Sequence, residues 1–383
     1  MQQEKKRGKR WVGSWAAAQQ LVEEHNMPPE PGLANNTLRQ IIRVSIGGEK
    51  IRLKFSNEYG NSPLYIKAAQ LAVARGGSAI DTSTIKEISF AGDESVIIAP
   101  GEVVVSDTLD YELPGLTTMA ITLYFGDVPT DLTGHPGSRT TSYIIPGNAI
   151  DAGEMSTAIR TEHWYIISGL DILTEDPEVR AVVALGDSIT DGRGSTTDGN
   201  DRWTDILANR FQANSATAKI AVLNQGIGGN RVLRGGLGPT AISRFDRDVL
   251  AQNGVRYLIV FEGVNDIGEE GHKPETAEEL IRAYRLFIEK AHEQDILVYG
   301  ATILPFAGSQ YDNKENEETR QKVNHWIRSS GEFDAVIDFA AAVEDPEQPG
   351  RLYSLYDCGD HLHLSPAGYR KLAGCIELAF FSS

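Results

Sequence analysis

The sequence predicts two units of different fold class, a β-sandwich or jelly roll followed by an α/β unit with a parallel sheet. Up to about residue 173, short strand patterns follow one another with no amphipathic helix between them. From residue 178, apolar strand patterns alternate with helical patterns, which is typical of a parallel sheet covered on both faces. A polar, proline-containing connector at residues 174–177 separates the two patterns. We therefore expect domains at residues 11–175 and 176–383.

The strand patterns of the N-terminal unit alternate polar and apolar residues. Residues 37–46 and 50–55 are the clearest pair, and Gly47 and Gly48 between them predict a hairpin that joins the two strands. Further strands are predicted at residues 64–74, 85–90, 96–98, 103–106, 118–125 and 142–145. Many short strands separated by turn residues favour a sandwich or jelly roll.

The strand patterns of the C-terminal unit are apolar throughout. Strands are predicted at residues 181–185, 219–224, 257–261, 296–302 and 335–337. Helices are predicted at residues 202–212, 239–250, 274–294, 314–329 and 366–380. In an open sheet of this kind, ligands bind in the crevice at the carboxyl ends of the strands. Polar residues that directly follow successive strands are therefore expected to meet there.

Composition excludes several classes of partner. The chain has 383 residues, 41% of them hydrophobic, which is enough for two domains with sizeable cores. No apolar run approaches the length of a membrane span, so no membrane partner is expected. The formal net charge of −17 argues against binding to nucleic acid or to an anionic membrane. The sequence does not specify an oligomeric state.

Cysteine content and the N-terminal sequence bear on the compartment. No apolar segment typical of a secretory signal follows the N-terminus, so we expect a cytoplasmic protein or a secreted one whose signal has been removed. Cys358 and Cys375 do not fit metal-ligand spacing and cannot form a disulfide framework. One bridge between them is possible, and thiols in a helical core are the simpler interpretation. No metal and no cofactor are expected.

Ser188 is a candidate nucleophile because it lies in the sequence Gly-Asp-Ser-Ile directly after the first predicted parallel strand. A glycine-opened turn at this point presents the serine hydroxyl to the crevice. The hydroxyl can act as a nucleophile only if a base, an acid and oxyanion donors accompany it, and a capped strand–helix turn is the alternative. Residue 190 is Thr, so the Gly-x-Ser-x-Gly elbow of α/β-hydrolases is not indicated.

Two further blocks follow the second and third predicted parallel strands. Gly226, Gly228 and Gly229 allow the backbone to approach a ligand closely, as in an oxyanion hole or a phosphate cradle, or they form a flexible loop. The glycine spacing of known phosphate-binding motifs is absent. Asn265 offers a side-chain N–H donor for a developing oxyanion, although an asparagine here could also cap a turn.

The last block lies near the end of the chain, where Asp360 and His363 precede a helix start at Ser365. His363 can take the proton of a serine while Asp360 orients the imidazole, or the pair can be structural. His361 is expected to pack or to contact solvent. Because all four blocks converge on one crevice, the sequence predicts a site for nucleophilic catalysis.

The four blocks resemble the motifs of the SGNH (GDSL-type) hydrolase superfamily in order and approximate spacing. The resemblance implies a flavodoxin-like, three-layer catalytic domain. It implies that Ser188 is the nucleophile, that His363 is the base and that Asp360 supports His363. It also implies an oxyanion hole formed by the backbone N–H groups of Ser188 and Gly229 and by the side chain of Asn265.

The N-terminal unit resembles the β-domain that precedes the catalytic domain in a subset of these enzymes, on residues 11–17, 56–60 and 135–139. That subset includes enzymes similar to acetylxylan esterases. The resemblance implies a serine esterase for short-chain acyl esters, chiefly acetyl, on carbohydrate such as acetylated xylan or xylo-oligosaccharides. The alternatives are a broad arylesterase, thioesterase or lysophospholipase of the same superfamily, and a catalytically silent carbohydrate-binding protein. The expected partner is thus a small-molecule or polysaccharide ester.

The N-terminal unit also carries candidate substrate contacts. The loop at residues 133–141 is polar and long enough to reach a neighbouring crevice, so we expect Arg139 to contribute to the substrate pocket. Trp164, Tyr165 and Tyr143 would favour carbohydrate binding if they were exposed, and otherwise are aromatic residues of the core.

Overall fold

A computed structural model describes residues 8–268 and 274–382. Its N-terminal half consists of antiparallel strands. In chain order these strands are β1 (Arg10–Ala16), β2 (Gln20–Leu21), β3 (Asn36–Arg43), β4 (Gly48–Ser56), β5 (Leu64–Gly76), β6 (Ala79–Ile80), β7 (Lys86–Glu87), β8 (Val96–Ile98), β9 (Val103–Val105), β10 (Leu109–Leu113), β11 (Thr118–Phe125), β12 (Thr133–His135), β13 (Ser142–Pro146), β14 (Ile159–Thr161), β15 (Trp164–Tyr165) and β16 (Ile167–Thr174).

These strands form three groups. One sheet has the order β1-β16-β4-β10, with β9 also paired to β4. A second has the order β14-β13-β3-β11-β5-β6, and β7 and β8 also pair with β5. The short strands β15, β12 and β2 form the third. Strands β3 and β11 are buried along most of their length, as expected for strands whose two faces are both covered.

The predicted hairpin between residues 37–46 and 50–55 is wrong. Both segments are strands, but β3 lies in the second sheet and β4 in the first, so they do not pair. Gly47 lies where the chain crosses between the sheets, and a Cβ atom there would overlap the carbonyl oxygen of Leu113. Alternation of polar and apolar residues identifies a strand but not its partner, which explains the error.

The C-terminal half contains a parallel sheet and the helices that pack on it. Its strands are β17 (Arg180–Gly186), β18 (Ile220–Gly226), β19 (Val255–Phe261), β20 (Leu297–Ala301) and β21 (Ala335–Ile337). Its helices are α1 (Ser188–Asp191), α2 (Trp203–Gln212), α3 (Ala241–Phe245), α4 (Val264–Gly268), α5 (Thr276–His292), α6 (Lys314–Ser329), α7 (Phe339–Val343) and α8 (Pro366–Cys375). The described helices also include a π-helical turn at Asp246–Leu250 and 3₁₀ turns at Glu24–Asn26, Thr82–Thr84 and Leu378–Phe381.

The strand order in this sheet is β18-β17-β19-β20-β21, all parallel. This order reverses direction at β17, so the crevice at the switch point lies between the ends of β17 and β19. Helices α2 and α7 pack with α8, whereas α3, α4 and α6 pack with α5 or with one another. Right-handed crossovers place these two groups on opposite faces of the sheet. The C-terminal half is therefore an α/β domain with a parallel sheet.

Most predicted elements of this half are present, with different ends. The helix predicted at residues 366–380 stops at Cys375, where the guanidinium of Arg210 donates to the carbonyl oxygens of Ala373 and Ile376 and so satisfies the helix end. The segment at residues 239–250 divides into α3 and the π-helical turn. Helices α1, α4 and α7 have four or five residues each, which is too short for a periodic pattern.

The two cysteines are free thiols. Cys375 is half-buried at the end of α8, but Cys358 is exposed in a loop, so the interpretation of both as thiols in a helical core is wrong for Cys358. The aromatic residues Trp164, Tyr165 and Tyr143 are buried. No helix in the described residues is long and apolar enough to span a bilayer.

The N-terminal half packs directly against the parallel sheet. Strand β1 contacts β18, and a Cβ atom on Gly13 would lie 2.9 Å from a methyl carbon of Leu223. Ser45 extends the contact, because its hydroxyl accepts the backbone N–H of Val222 at 3.0 Å. One continuous cluster of buried hydrophobic residues includes members of both halves. The halves therefore share a core.

We expect Gly47→Ala to lower the free energy of unfolding by about 2–3 kcal/mol, because the added methyl group must displace backbone rather than a flexible side chain. Gly374→Ala is the matched control. It lies in α8, and a methyl group added there would have no atom outside its own helix within 4 Å, so alanine should be neutral or stabilise by up to about 1 kcal/mol. Chemical denaturation of both variants measures the difference, and equal midpoints would contradict the crossing geometry.

Candidate active site

Ser188 is the first residue of α1, and Asp187 alone separates it from the end of β17. Asp187 is the N-cap, and its Oδ1 accepts the backbone N–H of Ile189 at 2.9 Å. A side chain on Gly186 would overlap Thr190 and the carbonyl oxygen of Phe261, so only glycine fits where the strand turns into the helix. The local sequence thus places a buried serine at the carboxyl edge of the sheet.

Three of the predicted residues form a hydrogen-bonded chain. Ser188 Oγ lies 2.8 Å from His363 Nε2, and His363 Nδ1 lies 2.7 Å from Asp360 Oδ2. The other oxygen of Asp360 accepts the backbone N–H groups of Leu362 at 3.0 Å and His363 at 2.8 Å. Because the Asp360 carboxylate is an acceptor, Nδ1 carries a proton and Nε2 is free to accept the serine proton.

The electrostatics of this chain favour a neutral histidine beside an ionised acid. Burial lowers the pKa of His363 below its ordinary 6.5, although Asp360 opposes the shift, and the charges of Arg193 and Arg139 lower it further. Burial alone would raise the pKa of Asp360, but the backbone and side-chain hydrogen bonds from His363 outweigh it and hold that pKa well below its usual range. At neutral pH, His363 can therefore act as a proton acceptor.

Gly229 and Asn265 lie at the same pocket. Gly229 has φ of +67°, a left-handed conformation that glycine adopts without strain. The Nδ2 group of Asn265 donates to the carbonyl oxygen of Asn230 at 2.8 Å, while its Oδ1 accepts the hydroxyl proton of Tyr311 at 2.9 Å. These two partners fix the orientation of the amide and leave one N–H of Nδ2 for another acceptor. Sequence reasoning missed Tyr311.

The pocket has a volume of about 370 Å³ and is lined by residues of both halves. The C-terminal half contributes Ser188, Asp191, Arg193, Gly228, Gly229, Leu237, Asn265, Gln310, Tyr311, Leu362 and His363. The N-terminal half contributes Gln20, Glu23, His25, Asn26, Pro136, Gly137, Arg139 and His163. The loop at residues 133–141 thus reaches the pocket, as the sequence predicts, and Arg139 is one of its lining residues.

Asp191 is a buried carboxyl group on the same short helix as Ser188. Its Oδ1 lies 2.8 Å from Nε2 of His135, whose Nδ1 lies 2.8 Å from the carbonyl oxygen of Ala18. A carbonyl oxygen only accepts, so Nδ1 carries a proton and a second proton lies between His135 and Asp191. Arg139 Nη2 is 3.5 Å from the other oxygen of Asp191. Through these contacts the N-terminal half binds the helix that begins with Ser188.

Arg244 joins the ends of two parallel strands to the glycine loop and is fully buried. Its guanidinium donates to the carbonyl oxygens of Gly186 at 3.0 Å and Gln225 at 2.6 Å, and to Asn230 Oδ1 at 3.0 Å. Asp248 Oδ2 neutralises the charge from 3.0 Å. The sequence patterns carried no signal for this role, because the partners are spread over separate strand ends and loops.

Buried carboxyl groups surround this arginine. Burial raises the pKa of Glu262 to about 8, against the attraction of Arg244 at 3.7 Å, and neither carboxyl oxygen has a hydrogen-bond partner among the described residues. Burial likewise raises the pKa of Asp187 to about 7. The pKa of Asp266 is raised to about 6 by burial, opposed by two backbone N–H groups of the loop after Asn230. Glu262 is therefore protonated in the folded state near neutral pH.

One group of ligand-type side chains lies beside the site. Donor atoms of Asp357, Cys358 and Asp360 lie within 4.8 Å of one another. The Asp360 carboxylate is already bound to His363, so an ion there would compete with the imidazole. His361 is exposed and lies 2.5 Å from Asp357 through its Nδ1, apart from the Ser188 chain. This group does not fit a resident metal.

Comparison with known proteins identifies the class. Residues 184–371 match the model of the GDSL-like Lipase/Acylhydrolase family. No functionally curated protein shows significant similarity to the chain. Residues 184–371 therefore form a GDSL-like lipase/acylhydrolase domain, which makes the protein an ester hydrolase of the GDSL/SGNH type.

Several solved structures are similar to part of the chain. A GDSL-like lipase from Bacteroides thetaiotaomicron VPI-5482 is 19% identical, with a TM-score of 0.41, and the match covers 53% of this chain and 89% of that one. An acetyl xylan esterase is 21% identical, with a TM-score of 0.39 and coverage of 51% and 96%. A member of the lipolytic protein G-D-S-L family from Veillonella parvula DSM 2008 is 18% identical, with a TM-score of 0.39 and coverage of 51% and 95%.

Glu262→Gln should flatten the pH dependence of stability. The pKa of Glu262 is about 8 in the folded protein and 4.5 in an ordinary environment, so the unfolded chain releases this proton first as the pH rises. The contribution of Glu262 to the free energy of unfolding is therefore complete below pH 4.5 and is lost as the pH rises through 8. The variant should lose less stability than wild type between about pH 5 and pH 9 in thermal or urea unfolding.

Glu347→Gln, at an exposed position, is the matched control and should keep the wild-type slope. Parallel pH profiles for Glu262→Gln and wild type would show that Glu262 is ionised in the folded protein.

Proposed function

We propose that the protein is a serine esterase that removes short acyl groups, chiefly acetyl, from carbohydrate through an acyl-serine intermediate. The hydrogen-bonded chain from Ser188 through His363 to Asp360, placed in a pocket that both halves of the chain line, is the observation that carries this proposal. The sequence resemblance of the N-terminal half to the β-domain of acetylxylan esterase-like enzymes favours acetylated xylan or xylo-oligosaccharides as substrate. The family alone supports only an acylhydrolase.

The reaction proceeds in two acyl transfers. Ser188 Oγ attacks the ester carbonyl carbon as its proton passes to His363 Nε2, and a tetrahedral oxyanion forms. The imidazolium, stabilised by Asp360, then gives this proton to the leaving alcohol oxygen as the carbon–oxygen bond breaks. Water attacks the acyl-serine in the same way, with His363 again as base, and the acid and free Ser188 are released.

The oxyanion is assigned to three donors: the backbone N–H groups of Ser188 and Gly229 and the free N–H of Asn265. Donors fixed before the reaction stabilise the developing charge without reorganisation. Tyr311 supports this role because its hydroxyl donates to Asn265 Oδ1 and so fixes which side of the amide presents the N–H. We assign Tyr311 as a positioning residue for Asn265.

Leu237 lies where the acyl group of a bound ester is expected. Its side chain is half exposed and packs against Gly229, and its backbone N–H donates to the Gly229 carbonyl oxygen at 3.1 Å. The side-chain Nδ2 of Asn230 also donates to the Leu237 carbonyl oxygen at 2.8 Å. A substrate carbonyl bound at Gly229 would have this leucine beside it, so the Leu237 side chain would contact the acyl group.

The same proposal includes a domain organisation. The N-terminal β-domain is a sandwich or jelly roll over residues 11–175, and the catalytic domain, flavodoxin-like in strand order, covers residues 176–383. Its support is the change from antiparallel to parallel pairing between β16, which ends at Thr174, and β17, which begins at Arg180. The β-domain forms one wall of the substrate pocket.

Wild type and Ser188→Ala are compared on p-nitrophenyl acetate, p-nitrophenyl octanoate and acetylated xylan, following released nitrophenol or acetate. Wild type should release acetate from the polysaccharide and cleave octanoate poorly, and the variant should lose activity by at least about a thousandfold. Turnover of the aryl esters alone would move the substrate to the arylesterase, thioesterase or lysophospholipase class. Absence of serine-dependent turnover would favour a silent carbohydrate-binding protein.

Asn265→Ala should lower kcat on p-nitrophenyl acetate by about a hundredfold or more with little change in KM, since the lost donor acts in the transition state. Tyr311→Phe should lower kcat by a smaller factor, about tenfold, again with KM unchanged, because the amide keeps its contact with Asn230 but loses the hydroxyl that orients it. Steady-state kinetics of both variants measure kcat and KM separately. An unchanged kcat in Asn265→Ala would remove this side chain from the oxyanion hole.

A further inference from the structure

Two arginines line the pocket that contains Ser188 and His363. Arg193 is exposed, and its guanidinium has no hydrogen bond or ion pair within residues 8–268 and 274–382. Carboxyl side chains outnumber lysine and arginine in this chain, 53 against 36, so acidic partners are not scarce. An arginine left unpaired beside the nucleophile is therefore available to a ligand.

Arg139 is held in a strained conformation at the same pocket. Its φ is +52°, which is uncommon for a residue with a Cβ, and its carbonyl oxygen accepts the backbone N–H of Asp198 at 3.0 Å. Its Nε is buried without a hydrogen-bond partner among the described residues. Strain and an unsatisfied donor both cost stability, and such costs are typical of residues kept for function.

The acidic groups of the pocket do not neutralise these arginines fully. Asp191 is buried and shares its charge with His135, and Arg139 approaches it only to 3.5 Å. The carboxylate of Glu23 accepts from the side-chain amides of Gln20 at 2.6 Å and Asn26 at 3.0 Å. Arg139 remains 29% exposed, so part of its guanidinium faces the pocket.

Both positive charges act on the imidazole of His363, since each lowers its pKa. In the proposed mechanism His363 donates its proton to the leaving oxygen, so the alcohol part of the ester lies on the side of the pocket where His363 is. The arginines are thus within electrostatic reach of the alcohol part of a bound ester.

We propose that the preferred alcohol part carries a carboxylate, as in an acetylated uronic acid residue, and that Arg139 and Arg193 bind this group. A guanidinium matches a carboxylate in charge and in planar, two-point geometry. Binding would give Arg193 an ion pair and would offset the cost of the strained backbone at Arg139. The inference rests on the proposed function for the position of the alcohol part, and it narrows the substrate to acidic carbohydrates.

Direct binding tests the inference independently of turnover. Calorimetric titration at millimolar ligand measures the affinities for galacturonate and galactose, which differ in charge at one carbon. Wild type should bind galacturonate at least about tenfold more tightly, and added salt should weaken the preference. Arg193→Gln and the double variant with Arg139→Gln should reduce the preference stepwise. Arg370→Gln removes a charge from an exposed position on α8 and should keep it.

Equal affinities for the two sugars in wild type, or a preference that survives in the double variant, would overturn the inference. Tighter binding of galactose 6-phosphate than of galacturonate would overturn the assignment to a carboxylate. Turnover of neutral p-nitrophenyl acetate by Arg370→Gln should stay within about twofold of wild type, because this residue does not line the pocket. If wild type does not hydrolyse p-nitrophenyl acetate, the proposed function is rejected. The measured preference for galacturonate would not be affected by that result.

Discussion

The geometry of the site depends on one buried cation. Arg244 carries a full charge where no water reaches it, which is costly unless its donors are satisfied. Two carbonyl oxygens at strand ends, the Asn230 amide and Asp248 satisfy them. The Gly186 carbonyl oxygen also accepts the backbone N–H of Ile227 at 3.1 Å, so Arg244 reinforces a contact between strand ends that the backbone already makes. The turn that carries Ser188 and the loop that carries Gly229 are thereby held at a fixed separation.

The second constraint is the contact between the two halves of the chain. Asp191 lies on the same helix as Ser188, and its partners His135 and Arg139 belong to the N-terminal half. The pocket is therefore not a property of the α/β domain alone. One wall comes from the N-terminal half, and Arg139, one of the two arginines that we assign to substrate binding, lies in the loop between β12 and β13. Substrate binding is in this way assigned to both halves of the chain, and the chemical step to the C-terminal half.

Sequence patterns predicted the parts of the structure that depend on local information. Continuous apolar strands predicted the parallel sheet, and the polar residues after them lie at one pocket, where Ser188, His363 and Asp360 form a hydrogen-bonded chain. The catalytic roles of these residues stay predictions. Strand partners in the N-terminal half were not predictable from alternation, as the crossing at Gly47 shows. Arg244, Asp191 and Tyr311 were missed because their partners are distant in sequence and meet only after folding.

The contact between His135 and Asp191 has a consequence for the order of synthesis. The two residues are 56 positions apart, and the ribosome completes β1 to β16 before it adds the nucleophile's helix. The surface that receives this helix can thus exist before the helix itself. A fragment cut to residues 184–371 would keep Ser188, Asn265 and His363 but would lose the contacts of Asp191 with the N-terminal half. It would also expose the apolar face of β18 that β1 covers.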